Sequence, residues 1–259
     1  MFKEKYPATW SFHHSTCRSG LNMLQLQHAD SNPGTFKEYL SSPVIDLPVP
    51  KIPEADFKDL IYNRYSCRKF KNEALQLQDI ANTLFAGYGA RDLVMMGNSE
   101  FRERSIPSGG GLYSLELYLL VTNVAGLQPG IYHYGIAPAI LELVKAIELP
   151  KSFLDNLFLH QPYVAEAPVI IIATSVIERT MKKYFDRGYR YILLEAGHCF
   201  QNINLMAAAC KLGSLNIGGF FDMDLCNVLG IDIEEEIPLY AMALGLPAAA
   251  GMQGRMGGV

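Results

Sequence analysis

No Cys-x-x-Cys pair stands anywhere in the chain, and its five cysteines are an odd number. That argues against a disulfide framework and a four-cysteine zinc site, and it fits reduced thiols. The longest apolar runs, such as Pro168 to Ala173, fall far short of the roughly 20 residues that span a bilayer. The opening MFKEKYPATWSF lacks the apolar centre of a secretion signal, so the expected location is cytoplasmic. Neither charge dominates: 22 Lys and Arg stand against 26 Asp and Glu, a net −4. No basic tail or long like-charge run is present, so neither nucleic acid nor an anionic membrane is expected as a partner. Also missing are Gly-x-Gly-x-x-Gly, Gly-Lys-Ser/Thr, His-Glu-x-x-His and a serine nucleophile elbow. These absences argue against a dinucleotide-binding Rossmann turn, a P-loop, a zinc enzyme and a serine hydrolase.

What is present is a chain of 259 residues, 49% apolar and 19% charged, long enough for one large core or two small ones. Its organising stretch runs from Arg187 to Gly213. At about 100° of turn per residue, Arg187, Arg190, Glu195, His198, Gln201 and Asn202 share one arc of a helix. Ile192, Leu193, Leu194, Phe200, Ile203, Leu205, Met206 and several alanines surround that arc. A helix so apolar belongs in a core, and its polar stripe must meet a partner element, a second subunit or a ligand. His198 is expected to bond Glu195 rather than to act as a catalyst. Glu195, Gln201 and Asn202 read as supporting or subunit-interface groups.

Residues 1–53 read as an extended, irregular N-terminal arm, with four prolines between Ser41 and Pro53 and a helical turn or two near Phe36 to Leu40. Residues 54–259 read as one α+β domain without repeats. Periodicity predicts helices over 54–63, 75–85, 149–160, 177–184 and 222–229. Strands are predicted over 116–122, 130–134, 140–144, 169–174, 215–220 and 238–244. Arg91 to Glu103 reads as a loop-like cover.

Two clusters carry possible chemistry. Arg64, Ser66 and Arg68 offer guanidinium forks and a hydroxyl suited to a phosphate, or else form a solvated basic turn. Pro107-Ser108-Gly109-Gly110-Gly111 removes side chains where a flat ligand or phosphate could lie against the backbone, or else is only a loop. His13 and His14 lack a third ligand at metal spacing.

In order along the chain, Arg64-x-Ser66-x-Arg68-x-Phe70, Arg104-x-x-Pro107-Ser108-Gly109-Gly110-Gly111-Leu112-Tyr113 and Gly130-Ile131-Tyr132-His133-Tyr134 resemble the nitroreductase-fold flavoproteins. Lys183-Tyr184-x-x-Arg187-Gly188-Tyr189-Arg190, Glu195-x-Gly197-His198, Gln201-Asn202, Gly218-Gly219-Phe220 and Leu244-Gly245-x-Pro247 resemble more closely their SagB-type branch. The opening Phe12 to Thr16 is similar to that branch as well.

The resemblance implies a central, mostly antiparallel sheet flanked by helices, with a long buried central helix, in an intertwined homodimer that holds FMN at its interface. It implies a dehydrogenase that oxidises thiazolines and oxazolines of a precursor peptide to thiazoles and oxazoles, beside a cyclodehydratase. An NAD(P)H-dependent nitroreductase or flavin reductase of the same fold is the alternative. By matching position, Arg64, Ser66 and Arg68 would hold the FMN phosphate and ribityl chain, and Arg255 would reach the phosphate from the tail. Pro107, Ser108, Gly109 and Gly110 would line the ring system, with Gly218 and Gly219 on its other side. Tyr65 stands where the family often has a second arginine. Lys183 and Tyr184 match the branch's catalytic pair, the lysine as base and the tyrosine as donor or relay; otherwise Lys183, beside Lys182, is an exposed helix residue.

Overall fold

The computed structural model describes residues 2–17, 36–96 and 99–248, so Arg255 lies outside the described residues. A seven-stranded sheet forms the centre, in the order β1-β6-β5-β4-β7-β9-β8. Its strands are β1 (Val44–Asp46), β4 (Leu115–Val121), β5 (Gly130–Gly135), β6 (Ile140–Ala146), β7 (Val169–Val176), β8 (Gly213–Ile217) and β9 (Glu236–Gly245). Every paired neighbour in it is antiparallel. The remaining strands, β2 (Ala90–Met96) and β3 (Ser99–Arg104), make a separate hairpin.

Both faces of the sheet are buried. Leu117, Leu119, Val121, Ile171, Met242 and Leu244 face one layer, which includes Ile80, Leu84, Cys199, Phe200 and Ile203. These belong to helices α4 (Leu77–Tyr88) and α7 (Gly188–Ala209). Tyr118, Leu120, Ile170, Ile172 and Ala243 face the other, covered by Leu154 and Leu157 of α5 (Lys151–Leu157) and Leu225 and Leu229 of α8 (Asp222–Leu229). Double burial explains why β4 and β7 carry consecutive apolar residues, Leu117–Val121 and Val169–Ala173, rather than alternating ones. Helices α4 and α7 cross closely at Gly87, where a Cβ would stand 2.5 Å from the Ile203 side chain.

The remaining helices are α1 (Phe2–Lys5), α2 (Pro7–Ser15), α3 (Phe57–Asn63) and α6 (Ile177–Tyr184). Two regions differ from the sequence-based expectation. The arm is not wholly irregular: α2 starts with Pro7 in its first turn, where a missing N–H costs nothing. Its C-terminal carbonyls are gripped by Arg190 at His13 (2.7 Å) and by Arg187 at Thr16 (3.0 Å). Further along the arm, Val44–Asp46 adds an edge strand to β6, while no helix forms over 36–40. The expected cover over Arg91 to Glu103 is the β2–β3 hairpin, whose mixed polar composition hid its pairing.

Phe200 is fully buried and stacks on Tyr240 at 5.0 Å. Phe200→Ala is expected to lower unfolding free energy by about 3–5 kcal/mol in a denaturant titration. A change below about 1 kcal/mol would place this ring outside the core that joins α7 to the sheet.

Candidate active site

The glycine-rich segment lies between β3 and β4, where the backbone needs conformations that side chains resist. Gly110 and Gly111 have φ of 69° and 68°. A Cβ on Gly110 would stand 2.5 Å from the Tyr184 hydroxyl and 3.1 Å from Lys183 Nζ. The chain therefore brings the predicted loop and the predicted catalytic pair into direct contact. Lys183 is half-buried in that contact, whereas Lys182 faces solvent beside Glu178. The reading of Lys183 as a merely exposed helix residue is thus set aside. Tyr184 packs edge-on against Tyr191 at 4.8 Å, and a Cβ on Gly109 would meet the Tyr191 side chain at 3.1 Å.

Beneath the loop, one carboxylate gathers two hydroxyl groups. The Tyr113 N–H donates to Ser108 Oγ at 3.0 Å, and Ser108 donates to Glu195 Oε2 at 2.5 Å. In parallel, the Leu115 N–H donates to Tyr88 Oη at 3.0 Å, and Tyr88 donates to Glu195 Oε1 at 2.8 Å. The two backbone donors direct both hydroxyl protons onto Glu195, which fixes the loop and α4 to α7. Burial pushes the Glu195 carboxyl above its usual range, against the downward pull of the Ser108 and Tyr88 hydrogen bonds. The expected Glu195–His198 pair does not form: Glu195 turns inward and His198 is exposed. Asn202 donates to the Ser105 carbonyl at 3.3 Å, and Gln201 is exposed. Buried Arg104 supports the loop from below, its guanidinium lying 5.3 Å from the Tyr88 ring and 5.5 Å from the Tyr113 ring.

The basic cluster lies elsewhere. Ser66 bridges Ser214 at the start of β8. Arg64 lines a cleft of about 180 Å³ with Tyr65, Asn204, Lys211, Ser214 and Pro247. Ser66 and Arg68 are exposed beside it, the Arg68 guanidinium lying 6.0 Å from the Tyr163 ring. Lys211, which the sequence reading passed over, supplies a second cation where Tyr65 is none. It sits just after α7 with φ 59°, and its one sequence signal is a basic residue between a helix end and Gly213. Two cations beside amide and hydroxyl groups make a donor set fitted to a phosphate. Gly218 and Gly219 follow β8, and the Gly219 carbonyl accepts from Gln161 Nε2 at 3.2 Å.

Strand register separates the basic cleft from the glycine loop. Ser214 pairs with Leu244, whereas Leu115, just past the glycine loop, pairs with Ser175, which pairs with Ile237. Seven positions along β9 amount to roughly 23 Å. A single chain therefore does not unite Arg64 with Gly110, Lys183 and Tyr184.

A seven-stranded antiparallel sheet flanked by helices, one of them long and central, defines a nitroreductase-type architecture. The nitroreductase family pattern matches residues 61–246, and the chain belongs to that family of oxidoreductases, whose members generally bind flavin. It is 33% identical over 202 residues to MJ1384 of Methanocaldococcus jannaschii, a protein carrying a provisional nitroreductase name, across 78% of this chain and 96% of that one. It is also 29% identical over 151 residues to the microcin B17-processing protein McbC of Escherichia coli, across 55% of this chain and 54% of that protein. The match thus spans only about half of McbC. Among solved structures, a nitroreductase-type protein from Anabaena variabilis superposes with TM-score 0.71 at 25% identity, over 92% of this chain and 47% of that one.

Ser108→Ala would leave a buried Glu195 oxygen without its donor. It is expected to cost about 1–3 kcal/mol of stability, read by chemical denaturation. Gly110→Ala adds a side chain at positive φ against Tyr184 Oη and is expected to displace the pair. Any turnover assay of the enzyme should then fall, and full activity in that variant would show that loop and pair need not touch.

Proposed function

We propose that this chain is an FMN-dependent dehydrogenase that oxidises azoline rings of a ribosomally made precursor peptide, working as a homodimer beside a cyclodehydratase. The observation that carries the reading is the meeting of Gly110 with Lys183 and Tyr184. It sets a candidate base and a candidate proton donor against a side-chain-free stretch of backbone where a flat ring can lie. The kinship with a microcin-processing protein supports the peptide substrate, as does that with the trifolitoxin-processing protein TfxB of Rhizobium leguminosarum, 30% identical over 132 residues.

FMN, when bound, supplies the acceptor for the hydride that leaves the azoline ring. Lys183 takes the ring Cα proton, and Tyr184 orients the ring or relays that proton. Arg64 and Lys211 hold the phosphate, with Ser66 and Arg68 alongside. Pro107, Ser108, Gly109 and Gly110 line one part of the flavin site, and Gly218 and Gly219 supply backbone from another.

The separation between the phosphate cleft and the glycine loop calls for a second chain. Leu193 and Leu194 are 45% and 58% exposed on α7, a Cβ on Gly197 would meet nothing within 4 Å, and His198 and Gln201 are exposed. A two-fold axis near Gly197 would pair this face with itself, antiparallel. The N-terminal end of each α7, which follows the lysine–tyrosine pair of α6, would then lie by the C-terminal end of its partner, which lines the phosphate cleft. One chain's cations and the other's loop would close a single flavin site.

A reductase using NAD(P)H is the second reading, favoured by the resemblance to MJ1384 over most of both chains. Rapid flavin reduction by NAD(P)H without peptide would select it. For the azoline reading, the purified protein is expected to be yellow and to oxidise a thiazoline-bearing peptide, while Lys183→Ala keeps FMN and loses that turnover. A colourless protein that takes up no FMN would end both readings. Leu194→Glu is expected to sediment as single chains that retain little FMN. A flavin-loaded monomer would overturn the shared site.

A further inference from the structure

The sheet end beside the lysine–tyrosine site holds a row of buried charges that the proposed chemistry leaves unused. His133 on β5 lies opposite Glu142 on β6 and opposite Tyr118 on β4. Its Nδ1 is 2.7 Å from Glu142 Oε2 and its Nε2 is 2.9 Å from Glu116 Oε2. The other oxygen of Glu116 meets Arg179 at 2.6 Å. Arg179 sits on α6, the eight-residue helix that ends in Lys183 and Tyr184. Glu116, His133 and Glu142 are each no more than 4% exposed.

An imidazole with an ionised carboxylate on each nitrogen bonds both only when both nitrogens carry protons. Glu116 accepts from two cations at once, so releasing the imidazole proton would leave a buried acceptor facing an acceptor. The four side chains run without a gap from strand β6, through β5 and β4, to the helix that presents the site.

We propose that Glu142, His133, Glu116 and Arg179 form a positioning chain for α6, which holds Lys183 and Tyr184 against Gly110 only while His133 is doubly protonated. The proposal rests on the reading that this pair serves the reaction. Arg179 is the one cation joining α6 to the sheet among the described ion pairs, which gives the chain its leverage on that helix.

The charges around His133 pull in two senses: the two carboxylates favour its charged form, and the cations Arg179 and Lys37 oppose it from farther off. Glu116 and Glu142 are its direct partners, Arg179 reaches it through Glu116, and the Tyr39 and Tyr118 rings stand 5.2 and 5.0 Å away. Tyr118 in turn accepts from Lys37, which pairs with Glu236. Burial lowers the His133 pKa, but the two glutamates outweigh it and the net shift is upward. Glu116 is held below its ordinary value by His133 and Arg179, despite its burial. For a raised histidine, the stabilisation is complete below its unfolded value near 6.5. It is lost as pH rises through the folded value. The α6 clamp should therefore slacken on the alkaline side.

The test is hydrogen exchange of the holo-protein across pH, corrected for intrinsic rates, alongside NMR of the His133 ring. Exchange of the α6 amides is expected to rise by about tenfold or more as His133 loses its proton. His133→Gln should exchange fast at every pH. Glu142→Gln, a milder change that leaves Glu116 in place, should move both transitions to lower pH together. Turnover in the wild type should fall over the same range through kcat rather than KM. Unchanged α6 protection across the His133 titration would overturn the proposal. If Lys183→Ala turns over like wild type while α6 still loosens, the catalytic reading fails and the clamp stands. If Lys183→Ala is inactive and α6 ignores His133, the clamp fails and the catalytic reading stands.

Discussion

A helix that is apolar on two sides can bury only one of them against its own sheet. Helix α7 spends one face on α4 and the strands, through Ile192, Ala196, Cys199, Phe200, Ile203 and Ala207. Its other face, around Leu193, Leu194 and Gly197, is left to water in a single chain. Burying Leu-sized side chains is worth about 1.5–3 kcal/mol each, so covering this second face would be favourable in the proposed dimer. The same helix has the Lys183–Tyr184 pair of α6 just before its start and the Arg64–Lys211 cleft at its far end. The two-sided apolarity of α7 is the physical basis of the proposed shared site.

Inside the chain, the same helix contributes the carboxylate that sets the loop. Glu195 is buried because the residues flanking it on its face are apolar, and a buried carboxylate must collect donors. It finds them in the Ser108 and Tyr88 hydroxyls, each oriented by a backbone N–H. Gly110 then lies where Lys183 and Tyr184 reach it. The position of the loop against Lys183 and Tyr184 is therefore set by backbone geometry and one buried charge.

Much of this was legible along the chain. The boundaries of α6 and α8 follow their 3.6-residue patterns, and the strands of the central sheet announce themselves as apolar runs. What stayed hidden depends on register or on a short local device. The β2–β3 hairpin carries no clear alternation, so its pairing left no pattern. Helix α2 owes its place to Arg187 and Arg190, far off in sequence. Lys211 joins Arg64 only because the end of α7 returns to the start of β8 beside Ser66. The pattern Arg64-x-Ser66-x-Arg68 suggested one three-part grip, but the extended backbone puts Arg64 in the cleft and sends Arg68 toward Tyr163.

His133, Glu116 and Glu142 show the same limit most plainly. Each is a polar residue on a strand with apolar neighbours, and nothing in their spacing says that antiparallel pairing makes them neighbours. Buried ion pairs are a poor way to gain stability, because the desolvation cost of each charge rivals the attraction it recovers. Leucines in the same row would pack as well and hold the sheet as firmly. They would not, however, discriminate between one placement of α6 and another, since apolar contact tolerates a shift that a buried carboxylate between an imidazole and a guanidinium does not. Costly charges placed where α6 meets the sheet through Arg179 and Glu116 therefore favour the proposed role in placement over one in strength.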